Sequence, residues 1–212
     1  MPRTLMNQQE LDHLAKVVAE VESQTSGEIR LMIVSRSART GHVVTLLWFF
    51  LMALAMAAVW YQRHRMIFNA DWWLLPLVIS GSLLVAWILA RIPWVERQLL
   101  WPSDVLAQVW ARAELEFHRE GLGQTAGRTG ILLFLSLREH QAVVLADKGI
   151  AAKLDKHTWE NVINVILEGA KSGQWSTKME EAIRLCGRLL AEHFPIRPGD
   201  KNELPNHVIL KE

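Results

Sequence analysis

Residues 129–147 read TGILLFLSLREHQAVVLAD, and this stretch decides the fold. Its first part, 129–137, is apolar almost without a break, as a strand covered on both faces must be. Arg138, Glu139 and His140 form a tight connection to a second strand at 141–147, and so short a link makes the pair antiparallel. Upstream, residues 28–34 (EIRLMIV) are β-branched and apolar and read as an earlier strand. A helix opened by Pro102 and Ser103 and stopped by Gly121 and Gly123 lies between them. A helical crossover favours parallel strands, and a strand hidden on both faces needs helices on each side. The expected fold is α/β: a three-layer α/β/α sandwich with a small mixed sheet.

The flanking segments supply the helices. Asn7 and Glu10 have capping-box spacing, and Leu11, Leu14, Ala15 and Val18 then share a helical face up to Ser26 and Gly27. Trp159, Val162, Ile163, Ile166, Leu167 and Ala170 form a second apolar stripe, stopped by Gly173. A third helix is expected to start at a capping box, Thr177 to Glu180, and to bury Met179, Ala182, Ile183, Cys186, Leu189 and Leu190 before Pro195 and Pro198 end it. The final VIL at 208–210 reads as one more short strand.

Between the first strand and the crossover helix lie two runs without Lys, Arg, Asp or Glu, at 41–61 and 72–90. About 20 helical residues cover a hydrocarbon core of roughly 30 Å, so both runs have spanning length and together make a transmembrane hairpin. The alternative is a pair of buried core helices. Trp48, Trp60, Trp72 and Trp73 are the expected anchoring aromatics, the last three beside the connecting loop at headgroup depth. A hairpin returns the chain to the side it left, so residues 1–40 and 93–212 form one discontinuous domain around an insertion at 41–92. Arg30, Arg36, Arg39, Arg91 and Arg97 on the flanks outnumber Arg63 and Arg65 in the loop, which places the flanks in the cytoplasm. The start, MPRTLMNQQELDHL, has no apolar stretch of the kind a signal peptide needs.

The chain has 212 residues and a formal net charge of +1. That balance argues against a nucleic-acid partner, because neutralising phosphates needs a surplus of Lys and Arg. One cysteine excludes an internal disulfide framework and any zinc site with two thiolates.

In this topology one edge of the sheet gathers Glu28, Arg128 with Thr129, and Asp147 with Lys148. The Glu28 and Asp147 carboxylates could hold a hard cation such as calcium, and Arg128 with Asp147 would be the catalytic candidates if an anion bound. The alternative is that these are solvated polar residues at strand ends. Gly121, Gly123 and Ala126 match G-x-G-x-x-A, but they precede a strand rather than a helix and read as a loop. Cys186 sits on an apolar stripe with Glu192 six positions on, so a cysteine-phosphatase loop is missing. The eight histidines show no recognisable zinc spacing.

SGEIRLMIVS at 26–35, the block 121–150, the Trp159 helix and HFPIRPGDKNELPN at 193–206 together resemble the TPM domain family, in its bacterial membrane-bound branch. The resemblance covers the chain outside the two spans and implies an α/β/α sandwich with a mixed sheet. It further implies a link to phosphatase activity, calcium binding, or assembly and repair of membrane complexes. A LemA-type membrane protein is the partner it suggests, and the bacterial inner membrane the location. Many family members carry a cleaved signal and one C-terminal anchor; neither is expected here. The expected function is a membrane-anchored, non-catalytic module for interaction, assembly or quality control of membrane proteins. The alternative is a calcium-dependent acid phosphatase-like enzyme or a calcium-binding module.

Overall fold

The computed structural model describes residues 6–37, 41–64, 74–92, 95, 101–196 and 202–211. The chain divides into two units, Met1–Ala38 with Leu106–Glu212, and Arg39–Val105. The expected anchors Trp72 and Trp73, the flanking Arg39 and Arg97, the loop Arg65 and the helix stop Pro198 lie outside the described residues, as does the side chain of Arg63.

The discontinuous unit contains α1 (Gln8–Glu22), β1 (Glu28–Val34), most of α4 (Pro102–Arg119), β2 (Gly130–Ser136), β3 (Gln141–Ala146), α5 (Lys148–Ala151), α6 (Glu160–Ser172), α7 (Trp175–His193) and β4 (Ile209–Lys211). The sheet runs β3-β2-β1-β4. β1 pairs parallel to β2 from Glu28↔Gly130 to Val34↔Ser136, and β2 pairs antiparallel to β3 from Ile131↔Ala146 to Ser136↔Gln141. β4 adds a parallel edge on the other side of β1, but only along Met32–Val34. This is the mixed sheet expected from the sequence, with the final strand shifted by one residue.

All seven residues of β1 and of β2 are buried, so both faces of the central pair are covered. Ile29, Leu31, Ile33, Ile131, Leu133 and Leu135 pack with α1, α6 and α7 in one core cluster. On the opposite face stand Met32, Leu132, Phe134 and Val143; the buried Val109, Ala113 and Phe117 of α4 and Leu122 of the turn after it supply the second apolar layer. Each large side chain removed from water contributes roughly 1.5–3 kcal/mol.

Helix ends follow local chemistry in one case and depart from it in two. Asn7 forms the expected capping box, its side chain accepting from the Glu10 N–H while the Glu10 carboxylate takes the Asn7 N–H. However, α1 stops at Glu22 with Ser23 as its cap, earlier than Ser26 and Gly27. Thr25 and Ser26 instead donate to the Phe194 carbonyl, which ties the loop after α1 to the end of α7. At the start of α7 the expected box at Thr177 is wrong. The helix begins at Trp175, with Gln174 at the cap and no side-chain cap bond, and Thr177 lies inside it.

The second unit contains α2 (Gly41–His64) and α3 (Leu74–Leu89), which pack on each other. Within α2 the stretch Val44–Tyr61 has mean hydropathy 2.0, and none of it is buried. Among the described residues it is the one helix long and apolar enough to cross a membrane; the apolar part of α3, Pro76–Leu89, is shorter. Pro76 sits in the first turn of α3, where a missing N–H removes no helical bond. At the other end the Arg91 guanidinium lies 3.7 Å from the centre of the Trp87 ring.

Candidate functional site

β4 leaves half of β1 uncovered, and a cavity of about 180 Å³ opens there. Two carboxylates face it, Glu22 from the end of α1 and Glu28 from the start of β1, with the carboxamides of Asn202 and Asn206 opposite. Glu22 Oε1 accepts the Ile29 N–H at 2.7 Å. This amide points away from β2, on the side that β4 does not reach, so the side chain does what a neighbouring strand would otherwise do. Glu28 is 7% exposed, and its Oε1 and Oε2 accept the N–H groups of Glu203 and Leu204 at 3.0 and 3.3 Å. The Glu203 carboxylate in turn accepts the Ala126 N–H at 3.0 Å, and Asn202 Nδ2 donates to Asn206 Oδ1 at 2.7 Å. Residues 202–206, NELPN, are therefore a strap across the cavity.

Electrostatics set Glu22 apart. Burial pushes its carboxyl up to about 8; the Ile29 bond opposes this, Glu28 adds to it, and Arg30 and the nearby Asn206 carboxamide oppose it. Arg30 is 2% exposed, and burial moves it below the usual guanidinium range against the pull of Glu120, Glu22 and Glu28. Beyond it, under α4, Glu116 is wholly buried and bonded to Lys211 at 2.6 Å and Arg112 at 2.9 Å.

The edge predicted to gather Glu28, Arg128 and Asp147 exists: Glu28 is level with Gly130, and the Asp147 N–H bonds the Gly130 carbonyl at 2.8 Å. The side chains do not share a ligand position. Glu28 and Asp147 stand on strands separated by β2, about 10 Å apart at strand spacing. The gap is closed by backbone, since a Cβ on Gly130 would lie 2.3 Å from the Leu122 oxygen. Asp147 caps α5, its Oδ1 accepting the Lys148 N–H at 2.7 Å, while its Oδ2 is buried without a hydrogen-bond partner. Arg128 has left-handed backbone, φ 52°, and its guanidinium turns back to the Gly123 carbonyl. The structure thus places Glu28 beside Glu22 on one cavity, and brings neither Asp147 nor Arg128 to it. Among the described residues no group of three or more His, Cys, Asp or Glu side chains is placed to hold a metal ion. The Gly121–Ala126 region is a single 3-10 turn, Leu122–Gln124, as its place before a strand suggests. Cys186 is fully buried, and burial raises its thiol far above the ordinary range, so it is no nucleophile. Of the tryptophans expected to anchor the chain, Trp60 is 64% exposed, whereas Trp48 has its Nε1 buried without a hydrogen-bond partner.

Sequence reasoning missed Glu22 and the two asparagines. Glu22 falls at the end of α1, outside the apolar stripe that marks the helix, and the asparagines lie in a tail without periodicity.

No family model matches the chain, and no curated protein matches it. Its fold is similar to the NMR structure of the BA42 protein from the psychrophilic bacterium Bizionia argentinensis sp. nov., with a TM-score of 0.60 over 97% of this chain and 94% of that one, at 19% identity. The likeness is one of fold.

Proposed function

We propose that the protein is a membrane-anchored module of the TPM type, in which a two-helix hairpin fixes an α/β domain to the cytoplasmic face of a bacterial inner membrane, where it binds and helps assemble or monitor membrane proteins. The observation that carries the anchor is the exposure of α2: Phe49, Phe50, Leu54 and Trp60 are each more than half exposed. Leaving such side chains in water forfeits roughly 1.5–3 kcal/mol apiece, and lipid is the surrounding that removes that penalty. The second run, 72–90, completes the hairpin by its apolar length. The TPM assignment is supported by where the resembling segments fall: 26–35, 121–150 and 193–206 supply β1, the β2–β3 hairpin and the strap, which meet around one sheet edge. A LemA-type membrane protein is the partner to seek first. Washing membranes with alkaline carbonate should leave the protein in the pellet, and crosslinking in those membranes should recover one reproducible membrane-protein partner. Release into the supernatant removes the anchor; migration alone after gentle extraction removes the partner.

One observation favours a calcium-binding reading beside this: the cavity at β1 is lined by oxygen donors, two carboxylates and two carboxamides, the ligand types calcium takes. Calorimetric titration with calcium should give a heat that Glu22→Gln removes; no heat with the unmodified chain ends this reading.

A further inference from the structure

One stripe of α3 stays open although the helix packs on α2. Ser80, Leu83, Leu84 and Trp87 stand at i, i+3, i+4 and i+7, so they share a face, and they line a groove of about 460 Å³. Ala86 is fully buried, whereas Leu83, Leu84 and Trp87 remain about half exposed. The groove is apolar in effect, because the Ser80 hydroxyl is spent on the Pro76 carbonyl at 2.7 Å. Its volume lies within the range of sites that hold a small molecule.

A positive charge closes one end of the stripe. Arg91 continues it at i+11, its N–H still bonding the Ile88 carbonyl, and its guanidinium lies over the Trp87 ring. The side chain is exposed and has no ion pair with a carboxylate among the described residues. At the helical rise Arg91 stands about 16 Å along the axis from Ser80, which is half of a hydrocarbon core of roughly 30 Å. The groove is therefore one lipid leaflet deep, with a cation at its mouth. A second copy of the chain fits it badly, since a two-fold axis along the membrane normal would set two such guanidiniums face to face at one depth.

We propose that this stripe is a binding site for one anionic phospholipid, whose phosphate sits on Arg91 while one acyl chain runs along Trp87, Leu84 and Leu83 to Ser80. The Trp87 ring holds the guanidinium at the mouth, so less side-chain freedom is lost when the phosphate bonds it. An anionic headgroup is selected over a zwitterionic one, because a choline ammonium would stand beside Arg91 and offset its attraction for the phosphate. The site works only in a bilayer, so it rests on the reading of 41–90 as a transmembrane hairpin.

The test is a lipid titration of the full chain in neutral-detergent micelles, followed by the Trp87 indole N–H resonance, which Trp87→Phe identifies by its loss. Dioleoyl phosphatidylglycerol should shift this resonance saturably and bind at least about fivefold more tightly than dioleoyl phosphatidylcholine, which has the same chains. Arg91→Gln should reduce that preference below about twofold. Ser80→Phe fills the far end of the groove with Arg91 in place and should remove the saturable shift with either lipid; it decides alone should Arg91→Gln fail to fold. Equal binding of the two lipids, a preference that survives Arg91→Gln, or a shift that survives Ser80→Phe overturns the proposal. So does the same shift with inorganic phosphate, or one that follows protein concentration without lipid, the mark of a second copy. The two readings fail differently: release by alkaline carbonate removes anchor and site together, whereas a chain that stays in the pellet yet binds both lipids equally loses the site alone.

Discussion

The two units treat apolar side chains in opposite ways. Leu132, Leu133, Phe134 and Leu135 of β2 have no exposed surface, whereas Phe49 and Phe50 of α2 are 58% and 61% exposed. Composition does not distinguish GILLFLS from LWFFLMA. Length does: the β2 run is seven residues bounded by turns, while Val44–Tyr61 continues for 18. A short run is covered by helices on both faces of a sheet. The 18-residue run has no such cover among the described residues.

The sharpest way to break this contrast is to truncate one phenylalanine in each unit. Phe134→Ala should destabilise the α/β unit by about 3–5 kcal/mol, through lost burial and the cavity left behind. Phe49→Ala should change the same quantity by less than about 0.5 kcal/mol. Denaturant unfolding of the full chain in micelles, followed by backbone amides of the sheet, gives both numbers; equal losses would mean that α2 belongs to the core. A smaller effect probes the wall between Glu28 and Asp147. Gly130→Ala sets a Cβ against the Leu122 carbonyl, which is backbone and cannot rotate away, and should cost about 1–3 kcal/mol in the same experiment. A neutral result there would reopen a shared position for the two carboxylates. The smallest effects contrast a real cap with an apparent one. Asn7→Ala should lower stability by about 1 kcal/mol and Thr177→Ala by under about 0.5 kcal/mol, measured by thermal melts.

The sheet was legible because its signals are local. The unbroken run in β2, the three-residue turn after it and the crossover helix before it each constrain pairing through neighbours in sequence, and together they specify a parallel and an antiparallel partner for β2. The start of α7 was misread because spacing between Thr177 and Glu180 is necessary for a capping box but not sufficient; Trp175 already continues the helix upstream. The cavity was half legible. Glu28 stands out at the head of an apolar strand, yet its companions Glu22, Asn202 and Asn206 come from a helix end and a tail that no periodicity connects to it. Asp147 appeared to be the companion because strand ends align at that edge, and alignment of ends says nothing about the Leu122 backbone that fills the space between.

β1 lies between β2 and β4, and the chain between β1 and β2 includes all of 39–105. As the ribosome makes the chain, β1 emerges with both edges bare and waits on the order of ten seconds for its first neighbour. A strand with five apolar residues in seven, bare at both edges, invites pairing with other nascent chains. The order in which the strands are translated therefore sets how long β1 stays open to such pairing.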